Sequence, residues 1–184
     1  DMVRPGNCRS GANATIVYNP QWHKGVVGIV ASRLVEAFYK PTIVFMFGGG
    51  FIQGTRDDQS YHYWFRKLTE NGYRVISIDY RLGLMGSTKV GVAQVNVLDK
   101  AIHMAVEDLF SATTFIIDNA ETLGVNPSNI VVSGSSAGAI SVMQAEYEIS
   151  NRTSWAAVLP EGFNYAGVMS FSGAILSREG KVDY

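Results

Sequence analysis

The sequence at residues 130–139 is Ile130-Val131-Val132-Ser133-Gly134-Ser135-Ser136-Ala137-Gly138-Ala139. Its first four residues are rich in β-branched side chains and predict a short buried strand. The next five residues fit the pattern G-x-S-x-G, and the residues from Ala139 onward have the composition of a helix start. Strand, small-residue turn and helix together predict a sharp turn with Ser136 at its apex.

The small residues around Ser136 have a steric explanation. The chain folds back closely on both sides of such a turn, so Gly134 and Gly138 leave room that a larger side chain would fill. The turn would lift the Ser136 hydroxyl to a helix N-terminus, where unpaired N–H groups favour developing negative charge. A tight strand-to-helix loop without chemistry has a similar composition, so the pentapeptide alone leaves both interpretations open.

A second glycine turn lies earlier in the chain. The sequence at residues 41–51 is PTIVFMFGGGF, a predicted strand that runs directly into Gly48, Gly49 and Gly50. Such glycines let the backbone turn its N–H groups toward a substrate oxygen. Together with the N–H of Ala137, those of Gly49 and Gly50 would form an oxyanion hole. Neither G-x-G-x-x-G nor a P-loop lysine follows, which disfavours nucleotide binding.

Residues from about 41 to 184 resemble the α/β-hydrolase superfamily, in its carboxylesterase and hormone-sensitive-lipase-like branch. The matching pieces occur in the family's order: Gly48-Gly49-Gly50-Phe51, Asp79-Tyr80-Arg81-Leu82, Ala105-Val106-Glu107-Asp108 and Gly134-Ser135-Ser136-Ala137-Gly138. The resemblance implies a partial α/β-hydrolase fold, with a mostly parallel sheet and helices on both faces. It also implies ester hydrolysis by acyl transfer, with Ser136 as the nucleophile.

The same resemblance assigns supporting residues. It implies structural roles through hydrogen bonds for Asp79, Arg81 and Asp108. Phe47 departs from the branch, which more often has a histidine before the three glycines to support the loop.

The catalytic triad is expected to be incomplete. In this fold the triad acid and then the histidine follow the serine. Residues 137–184 contain no histidine, and the three histidines of the chain are His23, His62 and His103. Carboxylates do follow the serine, but none comes after a recognisable next strand; they are Glu146, Glu148, Glu161, Glu179 and Asp183. We therefore expect a truncated hydrolase domain with little of the full acceleration.

A separate resemblance covers residues 14–45. Tyr18-Asn19-Pro20, the run from Trp22 to Glu36 and Lys40-Pro41-Thr42 resemble the DHH-associated domain of RecJ-type single-strand DNA exonucleases. Residues 15–47 predict a strand, an amphipathic helix and a second strand. The α/β-hydrolases normally have an antiparallel hairpin before this last strand. The chain is therefore expected to be a chimera, with a RecJ-like βα segment and N-terminal arm at 1–40 and a truncated α/β-hydrolase domain at 41–184.

Two alternatives to a serine hydrolase stay open. One is a non-catalytic α/β fragment whose glycine loops hold an anion or a partner. The other is a fragment of a RecJ-like single-stranded DNA exonuclease, whose metal chemistry needs clustered Asp and His. The chain has no Asp-His-His run, and Lys24, Arg33 and Lys40 have no aromatic platform beside them.

Composition limits the partners. The 184 residues suffice for a domain with a core, and the formal net charge of -1 argues against nucleic acid. One cysteine, Cys8, permits no intrachain disulfide. No membrane-length apolar run or signal-peptide core is present, so no membrane partner is expected and the cellular location stays unassigned. The expected partner is a small-molecule ester, without a cofactor or a metal. An uncovered sheet edge would permit self-association.

Periodicity predicts the remaining elements. Strands are expected at 42–47, 73–80 and 165–172, and helices at 57–70, 97–123 and 137–149, the second of them long and bent. Tyr61, Trp64, Phe65 and Leu68 would share one face of the first helix. Gly124 would end the second.

Overall fold

The computed structural model describes residues 41–86 and 95–175. Their strands are β1 (Thr42–Met46), β2 (Arg74–Ile78), β3 (Ile130–Ser135) and β4 (Gly167–Phe171). All pairings are parallel, in the order β2-β1-β3-β4, so β1 and β3 are the central strands. Parallel pairing brings the carboxyl ends of β1 and β3 side by side, with Met46 opposite Gly134.

The three long helices overlap the predicted ones, although the first begins at His62, five residues after its expected start. The helical elements are a 3₁₀ turn (Gln59–Tyr61), α1 (His62–Glu70), α2 (Val95–Asp118), α3 (Ala120–Leu123), a 3₁₀ turn (Pro127–Asn129), α4 (Ala137–Ser150) and a 3₁₀ turn (Ser154–Val158). Asp58 accepts a hydrogen bond from the N–H of Ser60 and so caps the first turn. That bond lowers the pKa of the Asp58 carboxyl.

One helix prediction was wrong in detail. The expected helix at 97–123 is interrupted at Asn119, which separates α2 from α3. The Asn119 side chain donates to the carbonyl of Phe115 at 2.8 Å, and such local bonds compete with helix continuation. Gly124 ends α3 in the left-handed conformation with φ 62°, as expected of a glycine cap.

Helix α1 covers one face of the sheet. The ring of Phe45 lies 4.8 Å from Tyr61, 5.2 Å from Trp64 and 5.0 Å from Phe65, measured between centroids. Leu68 is also partly buried, whereas the side chains between these positions are exposed. The predicted apolar face of this helix is confirmed.

Helices α2 and α4 cover the other face. Ala101, Ala105 and Leu109 recur every four residues along α2 and are fully buried, which gives that helix one apolar side. Helix α4 packs against β3, β4, β1 and α2. Central strands covered on both faces are continuously apolar, and every residue of β1 is buried. The predicted α/β architecture with helices on both faces is confirmed.

Several predictions lie outside the described residues. They include the N-terminal arm, the βα segment before residue 41, Cys8, His23, Lys24, Arg33 and Lys40, and Glu179 and Asp183 near the other terminus. In the described ranges, no helix combines the length and the apolar character needed to cross a membrane.

Candidate functional site

Ser136 occupies a sharp turn between β3 and α4. Its backbone has φ 50° and ψ −115°, a combination that residues other than glycine rarely adopt. The Ser136 N–H donates to the carbonyl of Phe171 at 2.8 Å, and its carbonyl accepts from the N–H of Ile140 at 2.9 Å. These bonds hold the serine in its strained conformation, and the residue is exposed at the surface.

Close packing explains the two glycines of the motif. A Cβ atom at residue 134 would lie 2.3 Å from the carbonyl carbon of Gly138. A Cβ atom at residue 138 would lie 2.2 Å from the carbonyl oxygen of Met46, at the end of β1. Gly138 is therefore required by the contact of the turn with β1, and Gly134 by the close return of the chain within the turn itself.

The triple-glycine turn approaches Ser136. A Cβ atom at residue 48 would lie 3.3 Å from Ser136 Cβ and 3.1 Å from the carbonyl oxygen of Ser135. Gly49 and Gly50 follow with φ of 134° and 63°, both in the left-handed range that favours glycine. The two glycine-containing turns singled out from the sequence therefore meet above the ends of adjacent strands.

Hydrogen-bond donors are available at this edge. Within the described ranges, the N–H groups of Gly49 and Gly50 have no hydrogen-bond partner. Ala137 is the first residue of α4, where a helix leaves its N–H groups unpaired. The helix dipole adds partial positive charge at the same position.

Two tyrosines clamp the peptide that precedes the glycines. The Tyr80 hydroxyl donates to the carbonyl of Phe47 at 2.8 Å, and the Tyr61 hydroxyl accepts the N–H of Gly48 at 3.0 Å. Both groups belong to the same peptide unit, so its plane is fixed from two sides. Burial raises the pKa of Tyr80, which keeps that phenol protonated and able to donate.

Phe47 fits this arrangement in place of the more usual histidine. Its ring stacks on Tyr80 with centroids 4.5 Å apart, and the side chain is 1% exposed. A phenyl ring cannot hydrogen-bond to the loop, and the tyrosine clamp supplies that support instead. Sequence reasoning missed the clamp; the only signal was that Tyr61 and Tyr80 carry hydroxyls at predicted apolar positions.

Carboxylates tie the surrounding loops together. Asp79 accepts from the Arg56 N–H at 2.7 Å and from its guanidinium at 2.6 Å. Asp108 accepts from the Arg81 N–H at 2.7 Å and from Arg81 Nε at 2.9 Å. Hydrogen bonds to Asp108 and Glu107 raise the pKa of Arg81, and Arg81 in turn lowers the pKa of Glu107. These are bracing contacts, as the resemblance implied for Asp79, Arg81 and Asp108.

The described histidines are held elsewhere. His62 Nε2 lies 3.1 Å from Asp57 Oδ1 on the exposed side of α1. His103 Nε2 lies 3.1 Å from Glu107 Oε1, and its ring stacks on Trp155 with centroids 3.6 Å apart. Neither histidine, in the part of the chain that the structure describes, hydrogen-bonds to Ser136.

The described carboxylates after Ser136 also serve other contacts. Glu148 is buried and accepts from Gln144 Nε2 at 2.6 Å and from the Thr153 hydroxyl. Glu146 accepts from the Ser150 hydroxyl at 3.3 Å. Glu161 lines a cavity of about 650 Å³ near the far end of α4 from Ser136.

A small apolar cavity lies beside the turn. Its volume is about 200 Å³, and it is lined by Phe45, Tyr61, Trp64, Ser135 and Phe171. Four of these five residues are aromatic, and Ser135 immediately precedes the exposed serine. Among the described residues, no group of three His, Cys, Asp or Glu side chains could hold a metal ion.

Comparison with known proteins identifies the family. The BD-FAE family model matches residues 34–152, well over half of the chain. The chain belongs to the BD-FAE family. A thermophilic esterase from Thermogutta terrifontis, solved with propionate bound, superimposes with a TM-score of 0.52 and 26% identity, covering 79% of this chain and 48% of that one. The predicted partial α/β-hydrolase fold is confirmed.

Curated relatives agree with the esterase branch. Gut esterase 1 of Caenorhabditis elegans is 28% identical over 128 residues, which cover 69% of this chain and 22% of that protein. The chain therefore spans about a fifth of that relative and about half of the bacterial structure.

A shorter match concerns the second resemblance. The single-stranded-DNA-specific exonuclease RecJ of Dickeya dadantii is 52% identical over 40 residues, which cover 21% of this chain and 7% of that protein.

The strained backbone of Ser136 generates a stability prediction. A residue held at such angles costs about 1–3 kcal/mol, and glycine relieves most of it. We expect Ser136→Gly to raise the free energy of unfolding by about 1 kcal/mol in urea denaturation. Ser128→Gly, at an exposed serine without a positive φ, should give no gain. A destabilised Ser136→Gly protein would show that the turn is not strained.

Proposed function

We propose that the chain carries the nucleophile and the oxyanion hole of a serine ester hydrolase. The observation that supports this most directly is the approach of Gly48 to an exposed, strained Ser136 at a helix N-terminus. In this proposal Ser136 attacks the ester carbonyl carbon. The N–H groups of Gly49, Gly50 and Ala137 stabilise the negative charge that develops on the carbonyl oxygen.

The proton of Ser136 has no assigned acceptor. A serine hydroxyl becomes a strong nucleophile only when a base removes its proton. His62 and His103 are paired with Asp57 and Glu107, and no histidine follows Ser136 in the sequence. We propose that the base is not among these residues, so that acylation by this chain alone is slow.

The substrate proposal is an ester with a short acyl group. The Thermogutta terrifontis esterase has been solved with propionate and with butyrate bound. The cavity beside Ser136, about 200 Å³, is smaller than the roughly 300–1,000 Å³ of pockets for drug-sized ligands. Its mostly aromatic walls suit an apolar acyl group.

Labelling with a fluorophosphonate tests this proposal. We expect slow labelling of Ser136, because the donors are present and the base is not. Added imidazole should accelerate the reaction by acting as an external base. Ser136→Ala should abolish labelling, and Ser128→Ala, at an exposed serine, should leave it unchanged.

Two outcomes would contradict the proposal. Rapid labelling without imidazole would show that a base is present in the chain. If Ser136 is not labelled either with or without imidazole, the chain carries neither the proposed nucleophile nor the proposed oxyanion hole.

A second proposal concerns the organisation of the chain. We propose that residues 1–40 are a RecJ-like unit of separate origin, joined to a partial α/β-hydrolase domain at 41–184. Support comes from the short RecJ match and from a family match that begins only at residue 34. The first described strand, β1, already lies between two neighbours, so the described sheet is continuous without the earlier segment.

Deletion of residues 1–40 tests this boundary. We expect the shortened protein to unfold cooperatively, with a melting temperature within a few degrees of that of the full chain. Loss of cooperative unfolding would show instead that the first forty residues are part of the hydrolase core.

A further inference from the structure

The Tyr61 hydroxyl is fixed in place beside Ser136. It accepts the Gly48 N–H at 3.0 Å. Its ring is held against Phe45, with centroids 4.8 Å apart, and against Phe65, with centroids 6.2 Å apart. The position of a Cβ atom at residue 48 lies 3.2 Å from Tyr61 Oη and 3.3 Å from Ser136 Cβ. The phenol and the serine thus flank the same point.

The proton of this hydroxyl has no hydrogen-bond partner among the described residues. A phenol that accepts one hydrogen bond still has an O–H to donate. In residues 41–86 and 95–175 the Tyr61 hydroxyl donates no hydrogen bond. Tyr61 also lines the apolar cavity beside the serine. A partly buried donor at the wall of such a cavity favours a ligand oxygen.

Tyr80 provides the contrast. The Tyr80 hydroxyl donates its hydrogen bond to the carbonyl of Phe47, so this hydroxyl only positions the loop. Tyr61 contacts the other end of the same peptide through its oxygen, which leaves its proton available. Hydrogen bonds in a chain polarise one another, so the bond from the Gly48 N–H makes the Tyr61 hydroxyl a stronger donor.

We infer that Tyr61 is a catalytic residue that donates a hydrogen bond to the carbonyl oxygen of an ester bound at Ser136. It supplements the backbone N–H groups of the oxyanion hole. This inference rests on the proposed ester hydrolase function and assigns a side-chain donor to the same site. The bond strengthens as negative charge develops on the oxygen, which is the condition for accelerating the reaction.

Removal of the hydroxyl alone tests the inference. Tyr61→Phe keeps the ring that packs on Phe45, and Tyr63→Phe is the matched control because Tyr63 is 69% exposed. Acylation of Ser136 by para-nitrophenyl acetate is measured in the presence of imidazole, after subtraction of the rate with Ser136→Ala. We expect Tyr61→Phe to slow acylation by about a hundredfold, the lower end of the cost of one lost oxyanion donor, and Tyr63→Phe to leave it unchanged.

A sulfur analogue separates donation from positioning. In the thionoester the carbonyl oxygen is replaced by sulfur, a weaker hydrogen-bond acceptor. If Tyr61 donates to that atom, Tyr61→Phe lowers the oxygen-to-sulfur rate ratio as well as the rate. Equal slowing of both esters, or no slowing of either, overturns the inference and leaves the proposed function intact.

Binding of propionate covers the case in which wild-type Ser136 is not acylated. A carboxylate places an oxygen in the hole without needing a base, and its binding is followed by NMR shifts of the Gly49 and Gly50 amides. At least threefold weaker binding by Tyr61→Phe, with Tyr63→Phe unchanged, supports Tyr61 as a donor although acyl transfer fails. Equal binding by all three proteins, or no binding by any, overturns the inference.

Discussion

The structure depends on one close contact, between the turn at Ser136 and the end of β1. The carbonyl oxygen of Met46 lies where a side chain at residue 138 would begin, so only glycine allows the approach. This contact brings the end of β3 against the end of β1. Because the two strands are parallel, the turns that follow them emerge at the same edge. The positive φ of Ser136 and the approach of Gly48 follow from that geometry.

Support for the glycine turn comes from side chains that are distant in sequence. Tyr61 and Tyr80 bind opposite ends of the peptide between Phe47 and Gly48, and the buried Phe47 ring stacks on Tyr80. Around this clamp, Asp79 and Asp108 hold the loops that carry Arg56 and Arg81. The arrangement gives a fixed backbone before the glycines without a histidine at residue 47.

The sequence predicted most of the fold because its local signals agree. Apolar runs and glycine stops placed the ends of the described strands within two residues, whereas α1 begins five residues after its expected start. The sequence indicated a bend in the 97–123 helix but not the break at Asn119, because no glycine or proline marks that position and the bond that favours it is a side-chain contact within the helix. Glu148 was likewise treated only as a candidate triad acid, although Gln144 and Thr153 hold it in the interior.

The candidate site, like the fold, was only partly predictable from the sequence. Ser136 and the three glycines could be found from the sequence, since each motif has a steric reason that acts over a few residues. The tyrosine clamp could not, because its partners are 13 and 33 residues apart and meet only through the sheet. Side-chain hydroxyls at apolar positions carry no periodic signal that would reveal their partners.

The most direct test of this account is a crystal structure of the chain after reaction with a fluorophosphonate. The account predicts a covalent adduct on Ser136 Oγ, with the phosphonyl oxygen within about 2.7–3.1 Å of backbone nitrogens in the glycine turn and of the Ala137 nitrogen. An adduct whose phosphonyl oxygen faces solvent, away from both turns, would contradict it.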